Sequence, residues 1–159
     1  MSKEKDYFGF SKNVNDYYNH YVSVADAKAA AVIAISFLLF DFLIGLEKQS
    51  CLQDTLFYTG SITLFLSCLF SLIAVFPRIP KEKKGLIFWE NVRNFKNKEE
   101  YFEEIEKLDK KDIEKKYASQ NFNLSNLLHS KHYYIRLAII SFITALLSIS
   151  TLYIIVNNA

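Results

Sequence analysis

Glycine, proline and cysteine are all scarce in this chain, which has 159 residues but only four glycines, two prolines and two cysteines. The glycines are too scattered to form a phosphate-binding loop, and the common motifs for phosphate binding, serine hydrolysis and zinc proteolysis are absent. No Cys-x-x-Cys pair or Cys/His cluster supports a zinc or redox site, and His129 and His132 lack an obvious third ligand. These absences argue against an enzyme, a bound metal or any other cofactor.

Long apolar runs are present instead, in 29–46, 56–76 and 133–156. Each can form a helix across the ~30 Å hydrocarbon core of a bilayer, which takes about 20 residues. The sequence therefore predicts an all-α membrane protein with three transmembrane helices plus cytoplasmic helices. We expect a cytoplasmic amphipathic helix in 1–28, a transmembrane hairpin in 29–76, a cytoplasmic helical region in 77–132, and a third transmembrane helix with a short external tail in 133–159.

The lysines and arginines are distributed unevenly around these spans. Four precede the first span, one lies in the loop before the second, and thirteen lie between Arg78 and Lys131. Because positively charged loops stay in the cytoplasm, the N-terminus and the middle region are predicted to be cytoplasmic. No cleavable signal peptide is visible. The small, simple chain favours a multi-pass protein of the bacterial inner (cell) membrane.

The region before the third span predicts helices with no proline or glycine to interrupt them. Asp109 is a suitable N-cap, and the apolar stripe after it runs on into the third span. We expect one continuous helix from about 109 to 156, which would couple events in the cytoplasm to the membrane. Near the N-terminus, Ser11 is the expected N-cap. The stripe that contains Tyr17 and Tyr21 is either an interfacial belt or a surface that packs on the middle region.

Each span carries one face of small or weakly polar side chains. In the first span this face consists of Ala27, Ala31, Ala34, Leu38, Asp41 and Gly45. Small faces let helices approach closely in lipid, and a carboxylate such as Asp41 is costly in contact with lipid. The faces serve either packing within one chain or assembly of several copies around a space that can open. The pore or interface candidates are Asp41, Ser67, Ser71, Ser141 and Ser148.

The middle region also combines cations with an aromatic ring, a set that suits an anionic, planar ligand such as a nucleotide. Arg78, Arg93 and Lys131 are the cations, and Trp89 is the ring. Arginine binds phosphate through two hydrogen bonds, and an aromatic face stacks on a base. The alternative is that the same charges serve membrane topology and contact with anionic lipid, for which juxtamembrane lysine and arginine are required. No nucleic-acid polymer is expected as a partner.

Four short motifs occur in a fixed order around the spans. They are Ala25-Asp26-Ala27-Lys28-Ala29, Pro77-x-x-Pro80, Gly85-Leu86-Ile87-Phe88-Trp89 and Gln120…Leu124-Ser125…Lys131-x-x-Tyr134. In order and placement the chain resembles the transmembrane effectors of Pycsar antiphage systems. The resemblance implies that Asp26 and Lys28 are signature residues at the cytoplasmic mouth. It further implies that Trp89, Gln120 and Lys131 line the region that senses a cyclic or other signalling nucleotide.

In that family, a partner nucleotide cyclase or nucleotidyltransferase makes the signal during phage infection, and the effector impairs the inner membrane so that the infected cell stops growing or dies. The resemblance therefore implies a membrane effector that forms a homo-oligomer in the lipid bilayer. No separate cyclic-nucleotide-binding domain is visible, and the absence of such a domain argues against direct recognition of the ligand by this chain. The alternatives are a different nucleotide or a protein partner as the signal. The alternative function is a non-enzymatic membrane adaptor that anchors a cytoplasmic helical hairpin for partner recruitment.

Overall fold

The structure, a computed structural model, describes residues 9–46, 50–76 and 86–158, apart from the side chains at positions 89 and 90. This part of the chain contains no strand and five helices: α1 (Phe10–Ile44), α2 (Cys51–Val75), α3 (Trp89–Val92), α4 (Lys98–Glu106) and α5 (Lys110–Asn157). Helices α1, α2 and α5 are long and apolar enough to cross a membrane. The predicted all-α membrane protein with three spans is confirmed.

Helix α5 contains 48 residues and includes the whole third span. It begins directly after Asp109, whose carboxylate accepts a hydrogen bond from the backbone N–H of Asp112 at 2.7 Å. An aspartate in this position satisfies one of the unpaired N–H groups at a helix start. The predicted N-cap and the predicted continuity of the last cytoplasmic helix with the third span are both confirmed.

Helix α1 begins earlier than its predicted N-cap, Ser11. Gly9 precedes the helix with a φ of 86°, a conformation that glycine adopts without steric cost. The backbone N–H groups of Gly9 and Ser11 donate to the carboxylate of Glu114 in α5, at 2.5 and 3.3 Å. The prediction for Ser11 was wrong because a carboxylate far along the chain caps this helix end.

Helix α2 begins at Cys51, five residues before the predicted start of the second span at position 56. The Ser50 hydroxyl accepts a hydrogen bond from the backbone N–H of Gln53 at 3.3 Å and so caps the helix. The cap lies inside the segment that was predicted to be loop, and this explains the difference.

The chain divides into two compact units. The head unit comprises Met1–Val22 and Pro77–Leu128, and the span unit comprises Ser23–Phe76 and His129–Ala159. Helices α1 and α5 contribute residues to both. In the head unit, Gly9 contacts Glu114 and Asn15 contacts Asn121, with separations of 105 and 106 positions. In the span unit, an ion pair joins positions 26 and 131, and the later residue Leu43 of α1 packs in one cluster with later residues of α5. Within each unit, therefore, α1 and α5 run parallel.

The span unit has two apolar clusters. The first consists of Leu43, Leu64, Ala145, Ile149 and Leu152, and the second of Ala25, Ala29, Ala74 and Ile135. Gly60 of α2 faces the first cluster, and a Cβ there would lie 3.3 Å from Ile149 Cγ1 and 3.4 Å from Leu43 Cδ2. The missing side chain thus allows close packing of α2 on its neighbours. Many large apolar side chains on the outer faces of the spans are exposed, which suits a hydrocarbon environment.

Candidate functional site

A buried lysine joins three helices in the span unit. The Lys131 ammonium, on α5, donates to the carboxylate of Asp26 on α1 at 2.5 Å and to the backbone carbonyl of Ala74 on α2 at 2.8 Å. The Lys131 side chain is only 6% exposed, whereas that of Asp26 is 38% exposed. Buried charges are tolerated when they are paired and hydrogen-bonded, and both conditions are met here.

The position of each residue in its helix explains why Asp26 and the Ala74 carbonyl lie next to Lys131. Asp26 follows the fully buried Ala25 on the face of α1 that packs against the other spans. Ala74 lies in the last turn of α2, where backbone carbonyls lack an intrahelical donor and the helix dipole is negative. The lysine therefore satisfies a helix end and an aspartate at once, and it brings α1, α2 and α5 together at one atom.

The structure brings together two of the seven ligand-sensing candidates, Asp26 and Lys131. Lys28 is exposed on α1 in the same unit, and Arg93 (exposed) and Gln120 (partly buried) belong to the head unit. Arg78 lies outside the described residues, and so does the Trp89 side chain. The roles of these residues in sensing stay predictions. Sequence reasoning missed the Ala74 carbonyl, because a backbone acceptor leaves no residue-type signal.

The serines on the small faces of the second and third spans lie between helices of one chain. Ser67 and Ser71 are fully buried, Ser148 is 8% exposed, and Ser141 is partly buried. The Ser67 hydroxyl donates to the Ala138 carbonyl of α5 at 3.0 Å, and Ser148 donates to Thr144 within α5 at 3.1 Å. Among the described residues the Ser71 hydroxyl has no partner. Packing within the chain therefore accounts for the positions of Ser67 and Ser148.

The small face of the first span behaves differently, because α1 packs through another face. Within the span unit, the buried residues of α1 are Ala25, Ala29, Ser36 and Leu43, whereas every member of the predicted small face is exposed: Ala27, Ala31, Ala34, Leu38, Asp41 and Gly45. At 3.6 residues per turn, the two sets lie about 180° apart around the helix. In a single chain, Asp41 thus faces away from the other spans, on a surface where lipid would surround it.

Between α1 and α2 the span unit also has an apolar groove of about 300 Å³. Its lining includes Phe37 and Phe40 of α1, Phe65 and Leu72 of α2, and the partly buried Cys68. The lining is apolar, as expected for a surface in contact with acyl chains.

In the head unit, buried amides connect α1 and α5. Asn15 donates to the side-chain oxygen of Asn121 at 3.0 Å, and Asn121 donates to the Ser11 carbonyl at 2.8 Å. Asn19 donates to Asn15 at 2.9 Å. A pattern in the sequence could have revealed this contact, since Ser11, Asn15 and Asn19 recur every four residues on one face of α1.

The tyrosine stripe of α1 does not form this contact. Tyr17 and Tyr21 are 55% and 38% exposed, and their ring centroids lie 4.6 Å apart. The hydrogen bond to Tyr21, followed by its charge, raises the pKa of Tyr17 above the ordinary tyrosine value. Tyr17 and Tyr21 thus lie on an exposed face of α1, whereas Tyr18 is partly buried. Both interpretations of the tyrosine stripe stay predictions.

The Glu114 carboxylate receives several hydrogen bonds at the start of α1. The hydrogen bond from the Ser11 hydroxyl is the main reason that the pKa of Glu114 lies below the ordinary glutamate value. Desolvation opposes this effect, and the backbone N–H groups of Gly9 and Ser11 lower the pKa further. A negative charge at this position also complements the positive end of the helix dipole. Glu114 in its ionised form therefore stabilises the start of α1.

Three apolar helices joined by a buried lysine, together with a second helical unit, define a small all-α membrane protein without strands in its described part. Residues 10–156 match the family of Pycsar effector protein domains, and the chain belongs to this family. It is similar to the Pycsar effector protein SaPycTM of Staphylococcus aureus, with 30% identity over 123 residues that cover 76% of this chain and 77% of the relative. No solved structure matches the chain. The resemblance noted in the sequence is confirmed at the level of the family.

Proposed function

We propose that this protein is the membrane effector of a nucleotide-signalled antiphage system in bacteria. A partner cyclase or nucleotidyltransferase makes a cyclic or other signalling nucleotide during infection, and the effector then impairs the inner membrane and stops growth of the infected cell. The observation that carries the proposal is the match to Pycsar effector domains over residues 10–156, together with three helices apolar enough to span a bilayer.

The effector works as a homo-oligomer in this proposal, and the exposed small face of α1 supports it. A carboxylate facing hydrocarbon costs about 2.5–3.5 kcal/mol or more, so Asp41 favours an arrangement in which protein or water surrounds it. A second copy of the chain can approach closely along Ala27, Ala31 and Ala34, because these side chains are small. Asp41 then lines the interface or a water-filled space at its centre.

The head unit receives the signal on the cytoplasmic side. The excess of lysine and arginine between Arg78 and Lys131 supports this orientation. Arg93 and Gln120 lie in the head unit, and α5 runs without interruption from that unit into the third span. A ligand can shift the head unit from one arrangement to another only as far as its affinities for the two arrangements differ. Helix α5 is the element through which this change reaches the bilayer.

Leakage measurements test the proposal. The full chain is reconstituted in vesicles of bacterial lipid that contain a self-quenching dye, and individual cyclic nucleotides are added. We expect dye release with one of them, and depolarisation of cells that express the chain together with a cyclase from the same genomic locus. Vesicles and cells that stay intact with every nucleotide and with the cyclase would instead favour the membrane adaptor, which predicts a stable complex and no change in permeability.

The oligomer is tested by adding bulk to the exposed face of α1. Ala31→Phe should prevent close approach of a second copy without disturbing the single chain, because Ala31 is exposed. The matched control is Ser150→Phe, at an exposed position of the third span. The mass in detergent should fall to that of the monomer for Ala31→Phe alone. Equal masses for wild type, Ala31→Phe and Ser150→Phe would exclude this face as the interface.

A further inference from the structure

The two apolar clusters of the span unit differ in the number of large side chains that they contain, and the ion pair of Lys131 with Asp26 lies at the cluster with fewer of them. The cluster around Leu43 contains four large aliphatic side chains, and partly buried leucines and phenylalanines pack against it. The cluster at the Asp26 end contains three alanines and one large side chain, Ile135, with Tyr134 beside it. Alanines let helices approach closely in lipid, but each buries few atoms. The spans therefore share fewer van der Waals contacts at the second cluster than at the first.

Polar contacts add to the packing at the second cluster. The Lys131 ammonium holds the Asp26 carboxylate of α1 and the last-turn carbonyl of Ala74 in α2, at 2.5 and 2.8 Å. One side chain of α5 therefore connects all three spans here. Loss of the Asp26 charge would leave the buried Lys131 ammonium without its counter-ion, which is strongly unfavourable. Loss of Lys131 would remove the side chain that joins all three helices at this end.

We propose that Lys131 is a latch: its ion pair with Asp26 keeps the three spans together at this end in the resting protein, and its release lets them separate there. The inference rests on the proposed function and specifies how that function is regulated. Asp26 is where the latch opens, because its side chain is 38% exposed and that of Lys131 only 6%. Once the carboxylate is drawn away, the ammonium is stable only in an arrangement that hydrates it, so the spans part and ions cross.

Single and double substitutions separate a latch from an ordinary structural contact. Asp26→Asn and Lys131→Met each break the pair, and we expect each to leak dye without any signal at least about tenfold faster than wild type. The double variant Asp26→Leu/Lys131→Met replaces both charges by apolar groups of similar size. Such a replacement is often neutral for packing, so we expect vesicles that stay tight and no longer respond to the signal.

Matched controls remove the same charges elsewhere on the same helices. Asp16→Asn on α1 and Lys116→Met on α5 are exposed and outside the span unit, and they should behave like wild type. The latch is overturned if the single variants insert with unchanged helical content and stay tight without signal. It is equally overturned if the double variant responds to the signal as wild type does, since an ion pair that can be dispensed with is not a switch.

A distance measurement keeps the test decisive if the single variants fail to fold. Spin labels at Phe76→Cys and His132→Cys, in a chain with Cys51 and Cys68 replaced by serine, report the separation of α2 and α5 beside the latch. The separation should increase when the vesicles leak, and an unchanged separation during leakage overturns the latch. If no signal makes the wild-type vesicles leak, but Asp26→Asn vesicles leak without a signal, the proposed function fails while the latch stands.

Discussion

Asn15 and Asn121 are joined side chain to side chain, with 3.0 Å between the donor nitrogen of Asn15 and the acceptor oxygen of Asn121. Both residues are buried, at 5% and 8% exposure, although each carries a fully polar side chain. Asn19 and the Ser11 carbonyl complete the network. Buried amides stabilise a structure only while their donors and acceptors stay paired, so this contact fixes the register of α1 on α5 in the head unit.

Replacing one member of the pair should loosen the start of α1. Asn121→Leu removes the partner of the Asn15 amide and of the Ser11 carbonyl, and buried groups left without partners cost about 1–3 kcal/mol. The free energy of local opening of segment 10–22, measured by hydrogen–deuterium exchange, should fall by that amount. Asn123→Leu is the control, because Asn123 is exposed on the same helix. Equal protection of the segment in the two variants would contradict the role of the network.

Acidification should weaken the contact between Glu114 and the start of α1. The folded protein lowers the pKa of Glu114, so its contribution to stability is complete above the ordinary glutamate pKa and is lost as the pH falls through the lowered value. Exchange protection of Gly9 to Asn13, corrected for intrinsic rates, should therefore decline between about pH 5 and pH 3. Glu114→Gln should start with lower protection and lose this pH dependence. A wild-type curve that parallels the glutamine variant would exclude the carboxylate as the cap.

Bulk at Gly60 should separate the spans. A Cβ at Gly60 already meets Ile149 and Leu43 at 3.3 and 3.4 Å, whereas one at Gly45 meets only a backbone oxygen at 3.5 Å. Gly60→Leu forces extra volume into a packed cluster and should cost about 1–3 kcal/mol. Thermal unfolding in detergent should show a clear loss for Gly60→Leu and little change for Gly45→Leu. Similar losses in both would mean that the close approach at Gly60 does not limit packing.

The two natural cysteines report the predicted orientation. Cys51 is exposed at the start of α2, and Cys68 lies near the middle of that helix on the wall of the apolar groove. With the N-terminus inside, the start of α2 faces outward, so a membrane-impermeant maleimide added to intact cells should label the wild type. It should not label Cys51→Ser. Labelling of the wild type only after the cells are broken would reverse the orientation.

The long helices could be predicted from the sequence because their signals are local. The apolar runs, the Asp109 cap and the absence of helix breakers before the third span each depend on neighbouring residues alone. The start of α1 could not be predicted in this way, because its cap is Glu114, 105 positions away. Local propensity favoured Ser11, but a tertiary contact determined where the helix begins.

The candidate site could be predicted only in part, for a similar reason. The motifs singled out Asp26 and Lys131, but the sequence has no signal for the contact between them or for the Ala74 carbonyl that completes the junction. Periodicity likewise found the tyrosine stripe of α1, because a hydrophobicity count favours aromatic rings. The contact with α5 is made by the polar Asn15, which bonds to Asn19 on its own helix, so the count passed over both asparagines. A search for polar residues at helical spacing would have found both.

The long separation between paired residues also determines the order of biogenesis. Asp26 is synthesised 105 residues before Lys131, a delay of roughly 5 to 20 s at ordinary rates of translation. During that interval the first two spans can enter the bilayer, but the carboxylate has no counter-ion within the nascent chain. Insertion of the last helix is therefore the step that supplies Lys131 and completes the contact among the three spans.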